Sequence, residues 1–273
     1  MKIAPYYQKL LNLGLQSAKS LEPITFSGMF NSGVGYLFTL LMPRFAAELK
    51  PDVTPIVADL SGLTTEKEVS QEIAGVLSGV LKSDVIPEYS FLVKTIVTLA
   101  GSTRVVLLLY FGQEGTVDPG LFLFLNRLRN LLGWKFSYVI FTTSRIFQNH
   151  ALVTPLVEKV LKRNIVQVLP LNAENSAIVL GNYEKRYNKK LPQREANAVI
   201  TFSGGNPGLI KALYLQAIAD KKWVNPDLLE EQLYFRLHGI ADDLTNQAKS
   251  LLLGKRFSKI DPLLVYHLES YGY

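Results

Sequence analysis

Cysteine is absent from all 273 residues. That excludes disulfides, thiolate metal sites, iron–sulfur clusters and a thiol nucleophile, and it fits a reducing compartment. Histidine is nearly absent too. His150, His238 and His267 stand far apart, with no spacing that suits metal ligation or a catalytic triad. Long hydrophobic runs are missing: the longest, Tyr36 to Met42 and Val105 to Phe111, have strand or helix-core length, short of the ~20 residues a membrane helix needs. Near the N-terminus Gln8, Lys9, Asn12, Gln16 and Lys19 break any leader-like apolar core. Against these absences, 48% of residues are hydrophobic and 19% charged, enough to bury a sizeable core and to exclude a disordered chain. The chain thus reads as a soluble, cytoplasmic, globular protein with no membrane partner.

Charge is weakly biased. Lys and Arg number 29 against 23 acids, for a net +6. Small basic clusters at Lys185-Arg186, Lys189-Lys190, Lys221-Lys222 and Lys255-Arg256 read as solvated helix faces, because a nucleic-acid surface concentrates its charge in one patch.

Periodicity divides the chain near residue 171. Before it, strands alternate with helices: Ile24-Thr25-Phe26 running into Gly28, Thr54 to Leu60, Arg104 to Phe111, Phe136 to Thr143 and Ile165 to Leu169. Helical spacing covers Tyr6 to Ser20, Val34 to Leu49, Glu66 to Leu81, Tyr89 to Ala100, Pro119 to Leu132 and Leu156 to Lys162. Pro43 is expected to kink or shorten the second of these helices, and Pro55 to place its strand at an edge or a strand start. The unbroken Val105 to Leu109 run suits a parallel strand buried on both faces. The alternation predicts a parallel sheet with helices on both sides. After residue 171 everything reads as helix: Asn172 to Tyr187, Gln193 to Phe202, Pro207 to Asp220, and again from Asp227 onward.

A strand, a glycine-bounded loop and a helix meet at Gly28-Met29-Phe30-Asn31-Ser32-Gly33-Val34-Gly35. The two glycines, Gly28 and Gly33, have the separation found in G-x-x-x-x-G-K-[ST], whose backbone amides cradle phosphates at a helix N-terminus. The chemistry has been replaced. Val34 stands where that motif has its lysine, and Gly35 where it has the hydroxyl that holds Mg²⁺. The strand at Val105 to Leu109 ends in Tyr110-Phe111-Gly112-Gln113 instead of a metal-binding acid. Glu114 reads as an exposed loop residue, and Asp59 as a turn cap.

The chain resembles AAA+ or STAND-type P-loop ATPases, the class that includes archaeal origin-recognition-like and signal-transduction ATPases. Four segments carry the resemblance: the loop Gly28 to Gly35, the strand Val105 to Leu109, the strand ending Thr142-Thr143-Ser144-Arg145, and Ser203-Gly204-Gly205-Asn206-Pro207-Gly208-Leu209. The third resembles the sensor-1 strand and the fourth the Gly-x-Pro turn of the helical lid. The resemblance implies a parallel α/β P-loop core over 1–171, a helical lid over 172–224, and a winged-helix-like segment over 225–273 that stops before its wing, so that either the chain is truncated or its last residues pair elsewhere. If nucleotide binding is retained, the resemblance implies contacts at Gly28, Asn31, Ser32, Gly33, Val34, Gly35, Thr143, Arg145, Asn206 and Pro207, with no metal site and no catalytic residue; otherwise the loop is a strand–helix turn kept for its backbone geometry. Arg145 reads equally as a phosphate-facing side chain or as the partner of a nearby acid. Asn206 and Pro207 also suit a helix cap and first turn. Trp134 and Trp223 read as core and lid packing.

The expected function is an interaction scaffold or regulatory subunit that has lost ATP hydrolysis, with a protein partner or a homo-oligomer. Two alternatives stand beside it: a switch that still holds ATP or ADP weakly through backbone amides, and an origin-recognition-like DNA-binding module.

Overall fold

The computed structural model of the chain describes residues 2–29, 31–49, 51–114, 116–147 and 154–219. The winged-helix-like segment, Trp223 and all three histidines lie outside them. Five parallel strands form the sheet: β1 (Ile24–Gly28), β2 (Val53–Asp59), β3 (Arg104–Tyr110), β4 (Phe136–Thr143) and β5 (Ile165–Val168). Their order across the sheet is β2-β3-β4-β1-β5. All eight residues of β4 and all five of β1 are buried, as expected for interior parallel strands covered on both faces. Pro55 is accommodated because β2 is an edge strand, whose outer side needs no ladder donor.

The helices are α1 (Pro5–Ser20), α2 (Val34–Glu48), α3 (Glu66–Leu81), α4 (Tyr89–Ser102), α5 (Gly120–Leu132), α6 (Pro155–Leu161), α7 (Ala173–Arg186), α8 (Gln193–Phe202) and α9 (Pro207–Ala219). Among the described residues no helix is long and apolar enough to cross a membrane. Pro43 does not end α2, which continues to Glu48. Leu37, Leu41 and Phe45 on its inner side are fully buried. Burying three such side chains contributes roughly 1.5–3 kcal/mol each, which outweighs the ~3 kcal/mol cost of an interior proline.

Two compact units result. The larger, sheet unit runs from Tyr7 to Gly28 and from Val34 to Val168. On one sheet face, Phe26 stacks on Phe141 (5.0 Å) and Phe141 meets Phe38 of α2 edge-on (5.7 Å). On the other face, Leu107, Leu109, Tyr138 and Ile140 join one apolar core with Ile73, Leu92, Ile96, Leu121, Leu125 and Val160 from α3 to α6. The smaller, helical unit comprises residues 2–6, 29–33 and the described residues from 169 on. In it, Tyr214 of α9 stacks with Tyr183 of α7 (6.1 Å) and donates a hydrogen bond to the Lys189 carbonyl (2.8 Å).

Candidate functional site

In the sheet unit, β1 delivers Gly28 opposite Thr143 of β4 and Val168 of β5, at the carboxyl ends where ligands of open α/β sheets sit. The chain then re-enters a helix at Val34, and the first turn of α2 carries no acid. Val34 is buried, so its side chain is part of the packing and offers nothing to an anion. At the end of β3, Tyr110 turns towards α2 and stacks on Phe38 (centroids 5.2 Å, planes 23° apart). Its hydroxyl reaches over Gly35: a Cβ placed on Gly35 would lie 2.8 Å from that oxygen and 3.1 Å from the ring carbon bearing it. Burial, and the Asp59 charge beside it, raise the Tyr110 phenol above its ordinary pKa, keeping it neutral.

Residues 35 and 110, where the sequence pattern would place a metal-binding hydroxyl and an acid, meet here in one packing contact. A glycine makes room and a tyrosine ring takes it. The residues present do not fit a Mg²⁺–triphosphate: Val34, Gly35 and the neutral phenol of Tyr110 offer it no cation, no metal-binding hydroxyl and no acid. Among the described residues no group of three or more His, Asp or Glu side chains is placed to hold a metal ion.

Asp59, Thr143 and Arg145 are engaged locally. Asp59 closes the turn after β2 by accepting from the Ser61 amide (3.0 Å) and hydroxyl (2.5 Å). Thr143, 1% exposed, donates its hydroxyl to the Gln113 carbonyl (2.8 Å). Arg145, on the helical turn that follows β4, pairs with Glu114 at 3.2 Å; the arginine side chain is 18% exposed and the acid 67%. Of the two roles open to Arg145 in the sequence, this geometry displays the acid pairing. Thr143 and Arg145 thus meet through the same loop, Gln113-Glu114.

In the helical unit the tip of the phosphate-loop-like segment meets the turn before α9. Asn31 adopts a left-handed backbone (φ 60°) and Gly33 a positive φ of 93°. The Asn31 carbonyl accepts from the Gly208 amide at 3.3 Å, and the Ser32 amide donates to the Met29 carbonyl at 3.0 Å. A Cβ on Gly208 would fall 2.6 Å from that of Asn31, so the two segments touch backbone to side chain. Asn206 caps α9, its side-chain oxygen accepting from the Gly208 (2.9 Å) and Leu209 (3.1 Å) amides, with Pro207 in the first turn. Gly205, at φ 76°, lies flat on Leu171, whose amide donates to its carbonyl (2.8 Å). So Asn31 meets the turn that carries Asn206 and Pro207 in the helical unit, which also holds Ser32 and Gly33, while Gly28, Val34, Gly35, Thr143 and Arg145 lie in the sheet unit.

Sequence reading missed two contacts here. The fit of Tyr110 on Gly35 and of Gly208 on Asn31 joins residues far apart in the chain, and only the replacement of a polar residue at each metal-site position hinted at the first. Trp134 is a correction: it packs into no core, being 69% exposed beyond the end of α5, where the turn Gly133–Lys135 points its ring outward.

No family model and no curated protein matches this chain. Solved structures do. A Walker-type ATPase of Pyrococcus abyssi superposes over 96% of this chain and 89% of its own, with TM-score 0.60 at 12% identity. Cdc6p from Pyrobaculum aerophilum matches 80% of this chain and 63% of its own (TM-score 0.57, 14% identity). The Aeropyrum pernix ORC1 protein, solved in complex with DNA, matches 94% of this chain and 70% of its own (TM-score 0.53, 13% identity). At such identities the likeness establishes fold alone: the described residues have the fold of AAA+ P-loop ATPases.

Proposed function

We propose that this AAA+-fold chain has lost ATP hydrolysis and works as a protein-interaction scaffold or regulatory subunit. Residues 1–171 form its degenerate core, 172–224 its lid and 225–273 an accessory segment. The observation that supports this reading is the Tyr110–Gly35 contact, which occupies from two elements at once the place where the resemblance implies a metal. Loss of the lysine alone removes a charge-assisted phosphate contact worth roughly 1.5–3 kcal/mol. The test is calorimetric titration of ATP and ADP, each with and without Mg²⁺, alongside phosphate release. The expected outcome is no hydrolysis and no heat up to about millimolar nucleotide, which corresponds to roughly 4 kcal/mol of binding. Metal-dependent turnover would overturn the reading.

Two other readings each have an observation in their favour. The acid-free first turn of α2, with Gly33 at positive φ, leaves backbone amides and the helix dipole suited to an anion, as in a nucleotide-binding switch. Binding of ADP tighter than about 100 µM, roughly 5.5 kcal/mol, would favour it. The exposed Lys185, Arg186, Lys189, Lys190 and Arg194 around α7 and α8 outnumber Glu174, Glu184 and Glu195, which suits a DNA-binding module. Retention on duplex DNA with a steep salt dependence would favour that one.

A further inference from the structure

In the sheet unit, α4 and α5 lie side by side over one sheet face. They are joined at one end by the stack of Tyr89 on Phe124 (5.1 Å) and at the other by Lys135, whose ammonium donates to the Ala100 carbonyl (3.3 Å). Their inner residues, Leu92, Ile96, Leu121 and Leu125 among them, are buried. Their outer side is apolar where solvent would predict polar residues. Leu123 is 59% exposed, Leu131 58% and Trp134 69%, with Phe91 and Val97 also exposed. Leu123, Arg127 and Leu131 fall at i, i+4 and i+8, so they form one ridge along α5.

On this side every charged residue within α4 and α5 is a cation, while Glu88 and Asp118 stand just before their first turns. Neither α4 nor α5 contains an aspartate or glutamate. The cations of this side are Lys94, whose ammonium sits 5.0 Å over the Phe91 ring, Arg127, and Lys135, 6.0 Å over the Trp134 ring. Exposed leucines and a tryptophan ringed by cations make a surface with apolar anchors and an electrostatic rim. A second copy in two-fold symmetry would set Lys94, Arg127 and Lys135 against themselves, and like charges facing one another oppose association. The geometry points to an acidic amphipathic helix of another protein as the occupant of the α4–α5 face, its apolar side on Leu123, Leu131 and Trp134 and its carboxylates on Lys94, Arg127 and Lys135. This face deepens the scaffold reading by giving the partner's chemistry, and it rests on that reading for its use.

Trp134 is itself the reporter, in a Trp223→Phe background that leaves it as the sole tryptophan. The probe is a synthetic helical peptide with leucine at every third and fourth position and glutamate elsewhere; the control carries lysine for glutamate. The acidic peptide should shift Trp134 emission to the blue, saturably, and the lysine peptide should not. Leu123→Ser/Leu131→Ser, two exposed positions, should weaken binding about tenfold or more while thermal melting stays unchanged. Lys94→Glu/Arg127→Glu should exchange the preference between the peptides. Equal response to both peptides, no response to either, or a concentration-dependent dimer already blue-shifted at Trp134 would each overturn the assignment. Nucleotide titration of the same sample reports on hydrolysis independently, so a failed face and a failed scaffold reading are told apart.

Discussion

Two close approaches decide what the chain can do at the scale of single residues. Gly205 combines a left-handed backbone with a Cβ position 2.0 Å from the Leu171 carbonyl oxygen. Gly205→Ala is therefore expected to cost about 3 kcal/mol or more, well above a typical surface substitution, seen as a lowered urea midpoint. At Gly35 the neighbour is a side chain, so the effect can be isolated. Gly35→Ala should gain up to about 1 kcal/mol of helix propensity but lose about 1–3 to overpacking against Tyr110. In a Tyr110→Leu background the loss should vanish, leaving a coupling of about 1 kcal/mol or more in a double-mutant cycle. Additive effects would show that the two residues do not press on each other. Neither contact could be read from sequence: a motif states which residue is missing, and only packing states what has filled the space.

Elements were more legible than residues, for reasons that differ from one to the next. The β3 run was readable because a strand covered on both faces has no polar alternation to blur it, and Pro55 marked an edge because only an edge strand can spare its donor. The run of α2 from Val34 was readable, but whether Pro43 would kink or shorten it was not, since that depends on how deeply Leu41 and Phe45 are buried. The exposure of Trp134 was hidden likewise, because a large aromatic at a helix end gives no sign of its direction. The cap of α9 was legible from Asn206-Pro207 alone. Asn206→Ala should remove acceptors from the Gly208 and Leu209 amides, costing about 1–2 kcal/mol and speeding hydrogen exchange in the first turn of α9 ahead of β3 and β4.

For the whole molecule the outstanding titratable groups are phenols. Tyr138 donates to the Val160 carbonyl at 3.1 Å inside the core, and burial raises its pKa to about 12 from an ordinary value near 10. Tyr89 is raised too, by burial and by its hydrogen bond to Asp118. A phenol raised on folding holds its proton more tightly in the folded chain. Its contribution is whole below pH 10 and is lost as pH climbs towards 12. Stability should accordingly fall across that window, by about 2 kcal/mol for Tyr138. Tyr138→Phe should flatten the fall while costing about 1 kcal/mol at neutral pH, measured by urea unfolding at both ends. The Tyr110–Gly35 fit, finally, bears on history. With the ring in place, the first carbon of a hydroxyl residue at 35 would press on the Tyr110 hydroxyl, and an acid at 110 without that hydroxyl would have only half a metal site. On the proposed reading, either substitution taken alone would first give a less stable or still inactive protein, so the contact would act as a ratchet.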